Sequence, residues 1–280
     1  MLGLVGLLLA GDALLLGLVH LNDLYAVHHV SGIWMALARS LNSGMFYPPL
    51  QDAGFYGGTR YTPLFFSLIA GLAWVTPNYL VAAKLAALLS MVVLVSGVAA
   101  AIRQMTGRWQ EVPLAALLLA IPQGLGAIVL PHADALAAGL GVWGLVVLGT
   151  EPTRPRVFWS ALLFVLALLT KFSSLAAPAA AFFFLLSRDR WLCVRLVLAC
   201  VVLGLLSLAL IDWLSQDRFL VNLRALGSGG SDLSSALLAP VRMYEKIGLS
   251  MGFAIVLPVL AVALIVRAGK QNWSLWDCIF

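Results

Sequence analysis

The sequence predicts an all-α fold, a polytopic transmembrane helical bundle of about eight spans, and three observations predict it. Of the 280 residues, 62% are apolar and 10% are charged, where a water-soluble domain has about 45 to 50% and about 25%. Mean hydropathy is +1.01. Apolar runs approaching the length of about 20 residues that a bilayer requires recur along the chain, and lipid offers backbone amides no partner outside a helix or a closed barrel. Interfacial juxtamembrane helices are expected in the first outer loop.

The runs that define the expected spans are 2–21, 79–102, 112–130, 133–149, 157–170, 172–186, 192–214 and 244–266. Between them, 22–78 and 215–243 are polar enough to be extramembrane loops, the second with a GSGGSDLSS centre. The apolar run 63–75 is short for a span and is read as interfacial or re-entrant. The stretch 157–186 is read as a hairpin of two short helices turning at Thr170 and Lys171; one long helix is the other reading. With these choices Arg103, Arg108, Arg154, Arg156, Arg188, Arg190, Arg195, Arg267 and Lys270 share one side, against Lys171 in the short turns opposite. That crowded side is expected to be cytoplasmic.

The charge balance is +5, from 17 Lys and Arg against 12 Asp and Glu, which in such a chain reflects orientation and attraction to anionic membrane lipids. No clustered basic face points to nucleic acid. Cys193, Cys200 and Cys278 have no CxxC spacing and indicate neither a disulfide framework nor a zinc site. The first run opens at Leu2 without a basic flank, and 273–280 reads as the start of a further apolar helix, so the chain is expected to be a fragment.

This topology gathers His20, Asp23, His28, His29, Arg60, Lys84, His132, Asp134 and Lys171 at one membrane boundary. Ionisable groups near an apolar zone persist because they pair or act. In the first loop, Val30, Ile33, Trp34, Leu37 and Leu41 form one stripe at helical spacing, while His28, Ser31, Arg39 and Asn42 fall away from it. The following FYPPLQDAGFYGGTRYTP segment is stiffened at Pro48 and Pro49, and Gly57 with Gly58 permits a turn and a close backbone approach. It can cover a substrate, or its aromatics Phe46, Tyr47, Phe55, Tyr56 and Tyr61 can form an interfacial belt.

Pro131, His132 and Asp134 stand where a helix begins. There a carboxylate either caps the helix or organises an anion or metal. His20 reads as an interfacial residue. Lys171, beside Thr170, Ser173 and Ser174, suits a phosphate oxygen or snorkels to the headgroups, and Lys84 has the same two readings. Asp12, inside the first run, is expected to pair with a neighbouring helix.

The order of ALARSLNSGMFYPPL, YGGTRYTPLFF, PHADALAAGL and ALLTKFSSLAAP, between about residues 2 and 186, resembles the membrane-embedded glycosyltransferases of the GT-C class, in the branch of aminoarabinose transferases and protein O-mannosyltransferases. The resemblance implies that 1–280 is one transmembrane transferase module. It would move a hexose or pentose from a polyprenyl-phosphate-linked sugar donor, with inversion, to a lipid, glycan or protein acceptor at the outer face of the cell inner membrane. It also implies an acidic base or acceptor-orienting group in the first loop, an acid where Asp134 stands, and basic residues on the lipid phosphate. The relatives' acidic pair falls near His28 and His29, and the nearest carboxylate is Asp23. Either Asp23 takes the acceptor proton while the histidines orient it, or His28 or His29 is the base, a role imidazole can fill.

Asp23, His28, His29 and Asp134 are therefore the expected catalytic residues, and Arg60, Lys84, His132 and Lys171 the substrate-binding ones. No cofactor is assigned, no metal ligand is assigned, and a divalent metal is left open. Two alternatives stand beside this reading. A transporter predicts two related halves and charges near the midplane, and only Asp12 is so placed. A non-catalytic fragment is the other.

Overall fold

In the computed structural model of the chain, the described residues are 2–25, 27–52, 55–120 and 128–227. The run 244–266, most of the loop 215–243, Cys278 and part of the run 112–130 lie outside them. Among the described residues there are ten helices and one two-stranded hairpin.

In chain order these are α1 (Leu2–Val19), α2 (His29–Asn42), β1 (Gln51–Asp52), β2 (Phe55–Tyr56), α3 (Pro63–Leu72), α4 (Tyr79–Thr106) and a 3-10 helix (Trp109–Ala120). They are followed by α5 (Asp134–Leu148), α6 (Arg154–Thr170), α7 (Ala176–Arg188), α8 (Arg190–Ser215) and α9 (Arg218–Gly227). β1 and β2 pair antiparallel, Gln51 opposite Tyr56.

The helices fall on the apolar runs, but the eight-span bundle is not what they make. Two helices, α4 and α8, are long and apolar enough to cross a membrane. The others fall short: α3 has 10 residues, α5 15, α6 17 and α7 13. At about 1.5 Å per residue, 15 residues reach only about 22 Å against a hydrocarbon core of about 30 Å. The described apolar stretch of α1, Leu4–Val19, is likewise short, and the run 112–130 begins not as an α-helix but as the 3-10 helix, with Pro113 inside it. The fold is therefore corrected from a polytopic eight-span bundle to an all-α bundle with two candidate spans among the described residues. The multi-pass placement in the cell inner membrane, with an outward-facing site, is corrected with it, because its sidedness was counted through runs whose described helices are too short to span.

Local chemistry explains where the helices start and stop. Asn78 accepts from the Val81 amide at 2.9 Å and caps α4. Gly107, at φ 70°, ends it in the left-handed conformation. Pro63 occupies the first turn of α3, and Asp189 accepts from the Trp191 and Leu192 amides to open α8. The stretch 157–186 breaks between Thr170 and Ala176, giving α6 and α7 as separate helices.

The main core joins α2, α3 and α4 to α9 through Trp34, Leu37, Phe65, Phe66, Ile69 and Phe219. The buried face of α2 is Ser31, Trp34, Leu37 and Ala38, whereas Ile33 is 37% exposed. Small residues one turn either side of Trp34 let α2 approach its neighbours, so Ser31 enters the core in place of Ile33. Tyr47 is fully buried against Phe66 and Phe219 and donates to the Tyr61 carbonyl at 2.8 Å. It is a core residue and not part of an interfacial belt. A second core packs α5 to α8 around Phe164, Phe184 and Leu196. The outer side of α8 keeps Leu198, Val202, Leu205, Leu206 and Leu210 exposed.

Candidate functional site

Two ion-paired clusters stand near the start of α2. In the first, one Asp23 oxygen accepts from His20 Nδ1 at 2.5 Å, and the other accepts from the Tyr25 amide at 2.9 Å and Lys84 Nζ at 3.2 Å. Lys84 is 1% exposed and also donates to the Tyr25 carbonyl at 2.7 Å. It neither snorkels nor reaches outward; it ties the turn after α1 to α4. The His20 hydrogen bond, followed by those from Tyr25 and Lys84, holds the Asp23 carboxyl down at about 2.

In the second cluster, Asp134 opens α5 but does not cap it. One oxygen of its carboxylate lies against His132 Nδ1, and the other accepts from Lys171 Nζ. The His132 bond and then Lys171 keep the Asp134 carboxyl at about 2 despite partial burial. Lys171 arrives from the break between α6 and α7, where the helix ends and the chain turns extended.

His28 borders the second cluster. Its Nδ1 accepts from the Val30 and Ser31 amides at 3.1 and 3.4 Å and caps α2. Its ring lies 5.5 Å from that of His29 and 6.2 Å from that of His132. His29 and Arg60 make no ion pair among the described residues, and neither does Asp12, which is exposed on α1.

A cavity of about 310 Å³ opens beside the second cluster. Arg60, Lys171 and His132 supply its cationic or imidazole side chains, Thr62, Thr170 and Ser173 its hydroxyls, and Trp34, Tyr61 and Phe172 its aromatic surface. Of the residues expected from sequence, Arg60, His132 and Lys171 line it. Asp134 stands behind Lys171 and lines a second hollow of about 710 Å³ between α5 and α7, while Asp23, Lys84, His28 and His29 line neither. Trp34, Thr62 and Phe172 were not anticipated. Trp34 lies on the apolar stripe, where spacing alone makes it a core residue.

Among the described residues, no group of three His, Cys, Asp or Glu side chains is placed to hold a metal ion. Comparisons with protein-family models, with curated proteins and with solved structures found no match. The integral-membrane glycosyltransferase working from polyprenyl phosphate at the outer face is corrected here. Among the described residues the helices do not make the multi-span architecture that would carry it, and both carboxylates expected to do its chemistry are bound up in ion pairs.

Proposed function

We propose that the chain is a ligand-binding helical segment, non-catalytic in itself, and that the cavity lined by Arg60 and Lys171 takes a phosphate-bearing ligand. The observation that carries this reading is Arg60. It is a guanidinium at a cavity wall without a carboxylate partner among the described residues, and it shares that cavity with Lys171 and three hydroxyl side chains. A guanidinium fork matches the oxygens of a phosphate, and the Thr62 and Ser173 hydroxyls can donate to those that remain, while Thr170 Oγ1 already donates to the Leu166 carbonyl at 2.8 Å. Aromatic walls at Tyr61 and Phe172 suit the organic part of an ester. A lipid-phosphate-linked sugar, the donor that the GT-C resemblance implies, is one member of this ligand class.

The binding reading is favoured over a proton-transfer role by the state of the carboxylates. A general base works best with a pKa near the operating pH, and Asp23 and Asp134, at about 2, are weak bases. Titration calorimetry with inorganic phosphate and an alkyl phosphate tests the proposal. Arg60→Met and Lys171→Met should each weaken binding about tenfold or more, since a charge-assisted hydrogen bond contributes about 1.5 to 3 kcal/mol. Affinities unchanged in both variants would remove the proposal.

A further inference from the structure

We propose that a separate cavity lined by Arg154 and Arg195 is a site for an anionic phospholipid: the two guanidiniums take the headgroup phosphate, and the apolar stripe of α8 that starts at Trp191 takes the acyl chains. This cavity shares no lining residue with the two hollows beside Lys171, and the proposal is independent of the reading given to them.

The cavity, of about 520 Å³, opens where the chain enters α6 and α8, with Thr153, Arg154, Asp189, Trp191 and Arg195 in its wall. Arg154, Arg195 and the adjacent Arg190 are exposed, and their side chains make no hydrogen bond or ion pair among the described residues. Arg156 and Arg188 stand exposed beside them. Each donates to a main-chain carbonyl, Arg156 to that of Glu151 at 3.0 Å and Arg188 to that of Thr150 at 2.6 Å, so neither charge is neutralised. Against these arginines stand the carboxylates of Glu151 and Asp189, and Asp189 turns one oxygen to the Trp191 and Leu192 amides. The surface is therefore positive and accessible, and a guanidinium pair matches phosphate oxygens.

Charge alone suits any polyanion, and the surface next to it narrows the choice. Trp191, Val194, Leu198, Val201 and Leu205 recur every three or four residues along α8 and are all exposed, while Leu192, Cys193 and Leu196 face the second core. The exposed positions form one stripe about 21 Å long, which begins at the cavity wall. One leaflet of hydrocarbon is about 15 Å deep, half of a core of about 30 Å, so the stripe covers the full depth of an acyl chain. Trp159 on α6 is exposed as well, and tryptophan and arginine are the side chains that sit at headgroup level. Nucleic acid on the arginines would leave the stripe in water. A phospholipid fills both halves.

Vesicle flotation of the full chain tests this, with phosphatidylcholine alone and with equal parts of phosphatidylcholine and phosphatidylglycerol. The mixed vesicles should bind about tenfold more tightly or better. Arg154→Gln and Arg195→Gln should each weaken that binding about fivefold. Arg224→Gln makes the same charge change on α9, beyond the far end of α8, and should stay within about twofold of wild type. Brominated acyl chains should quench tryptophan emission, and Trp191→Phe should remove part of that quenching. Equal binding to both kinds of vesicle, equal losses in all three arginine variants, or quenching that Trp191→Phe leaves unchanged would each overturn the proposal. So would three other occupants. Inorganic phosphate that binds as tightly as the mixed vesicles would assign the cavity to a free anion, and an oligonucleotide that binds more tightly than they do would assign it to nucleic acid. A stable dimer that does not float with either vesicle would assign the stripe to a second copy of the chain.

Discussion

His28 and His132 meet edge to face, with ring centroids 6.2 Å apart and planes at 72°, and their contact joins the first turn of α2 to the turn that opens α5. Each ring has a separate task. His28 Nδ1 caps α2, and His132 Nδ1 serves Asp134. Because α2 carries Trp34 and the α5 turn adjoins Lys171, the ends of both helices frame one cavity.

The cap on α2 should carry measurable stability. His28 accepts the Val30 and Ser31 amides on Nδ1, so His28→Ala leaves both without that acceptor and should cost about 1 kcal/mol. His28→Asp, which caps with a carboxylate, should keep most of it. Thermal unfolding and amide exchange at Val30 and Ser31, compared across the three proteins at one pH, check this, and an unchanged His28→Ala would remove the cap assignment.

Helix positions were legible in the sequence because their signals are local. Asn78 before the α4 run and Pro63 at the start of α3 announce termini through backbone chemistry within a few residues. The number of spans was not legible: the cuts at Gly149, with φ 66°, and after Thr170 fall where the apolar runs were ended, but counting each run as a span ignored that helices of 15, 17 and 13 residues are too short to cross. The site was legible in part. Of the nine residues grouped at one boundary, the fold brings His132, Asp134 and Lys171 together, but whether Lys84 points to headgroups or into the protein depends on Asp23 and Tyr25, which only the tertiary fold brings to it. Trp34 was invisible as a site residue, because a stripe position looks the same whether or not a cavity opens beside it.

Acid should expose the contribution of Asp134. The ordinary carboxyl value of 3.8 falls to about 2 in the folded chain, so the unfolded state takes up protons first as the pH drops. The ion pair's stabilisation is thus complete above about pH 4 and vanishes as the pH passes through about 2. The unfolding free energies of wild type and Asp134→Asn should converge over that interval. Asp134 is 52% exposed, so screening keeps the gap to about 1 kcal/mol or less, and added salt should narrow it. A gap that widens toward pH 2 would contradict the assignment.

Gly139 sets how closely α5 lies on α4. A Cβ there would sit 2.8 Å from the Leu94 nitrogen and 3.0 Å from its Cα, and backbone atoms cannot yield as a side-chain tip can. Gly139→Ala should therefore destabilise by about 1 to 3 kcal/mol despite the better helix propensity of alanine. Gly204→Ala, on α8 with nothing within 4 Å of the added carbon, should be neutral or stabilising by up to about 1 kcal/mol. Thermal unfolding of the two variants side by side separates the packing effect from propensity.

Asp23 and Lys84 should respond unequally to removal. Lys84 is 1% exposed and Asp23 46%, so their pair is buried at one end only. In Lys84→Met the stem volume is kept, the ammonium no longer needs desolvating, and Asp23 retains His20, the Tyr25 amide and solvent. The expected loss is below about 2 kcal/mol. Asp23→Asn leaves the ammonium inside the protein with the Tyr25 carbonyl and a neutral amide as its partners, which is the costly half of a broken buried pair. Its melting temperature should fall further than that of Lys84→Met. The double variant Asp23→Asn/Lys84→Met should recover most of that fall, because it removes the stranded charge. Melting temperatures that simply add across the two changes would show that the two side chains are not coupled.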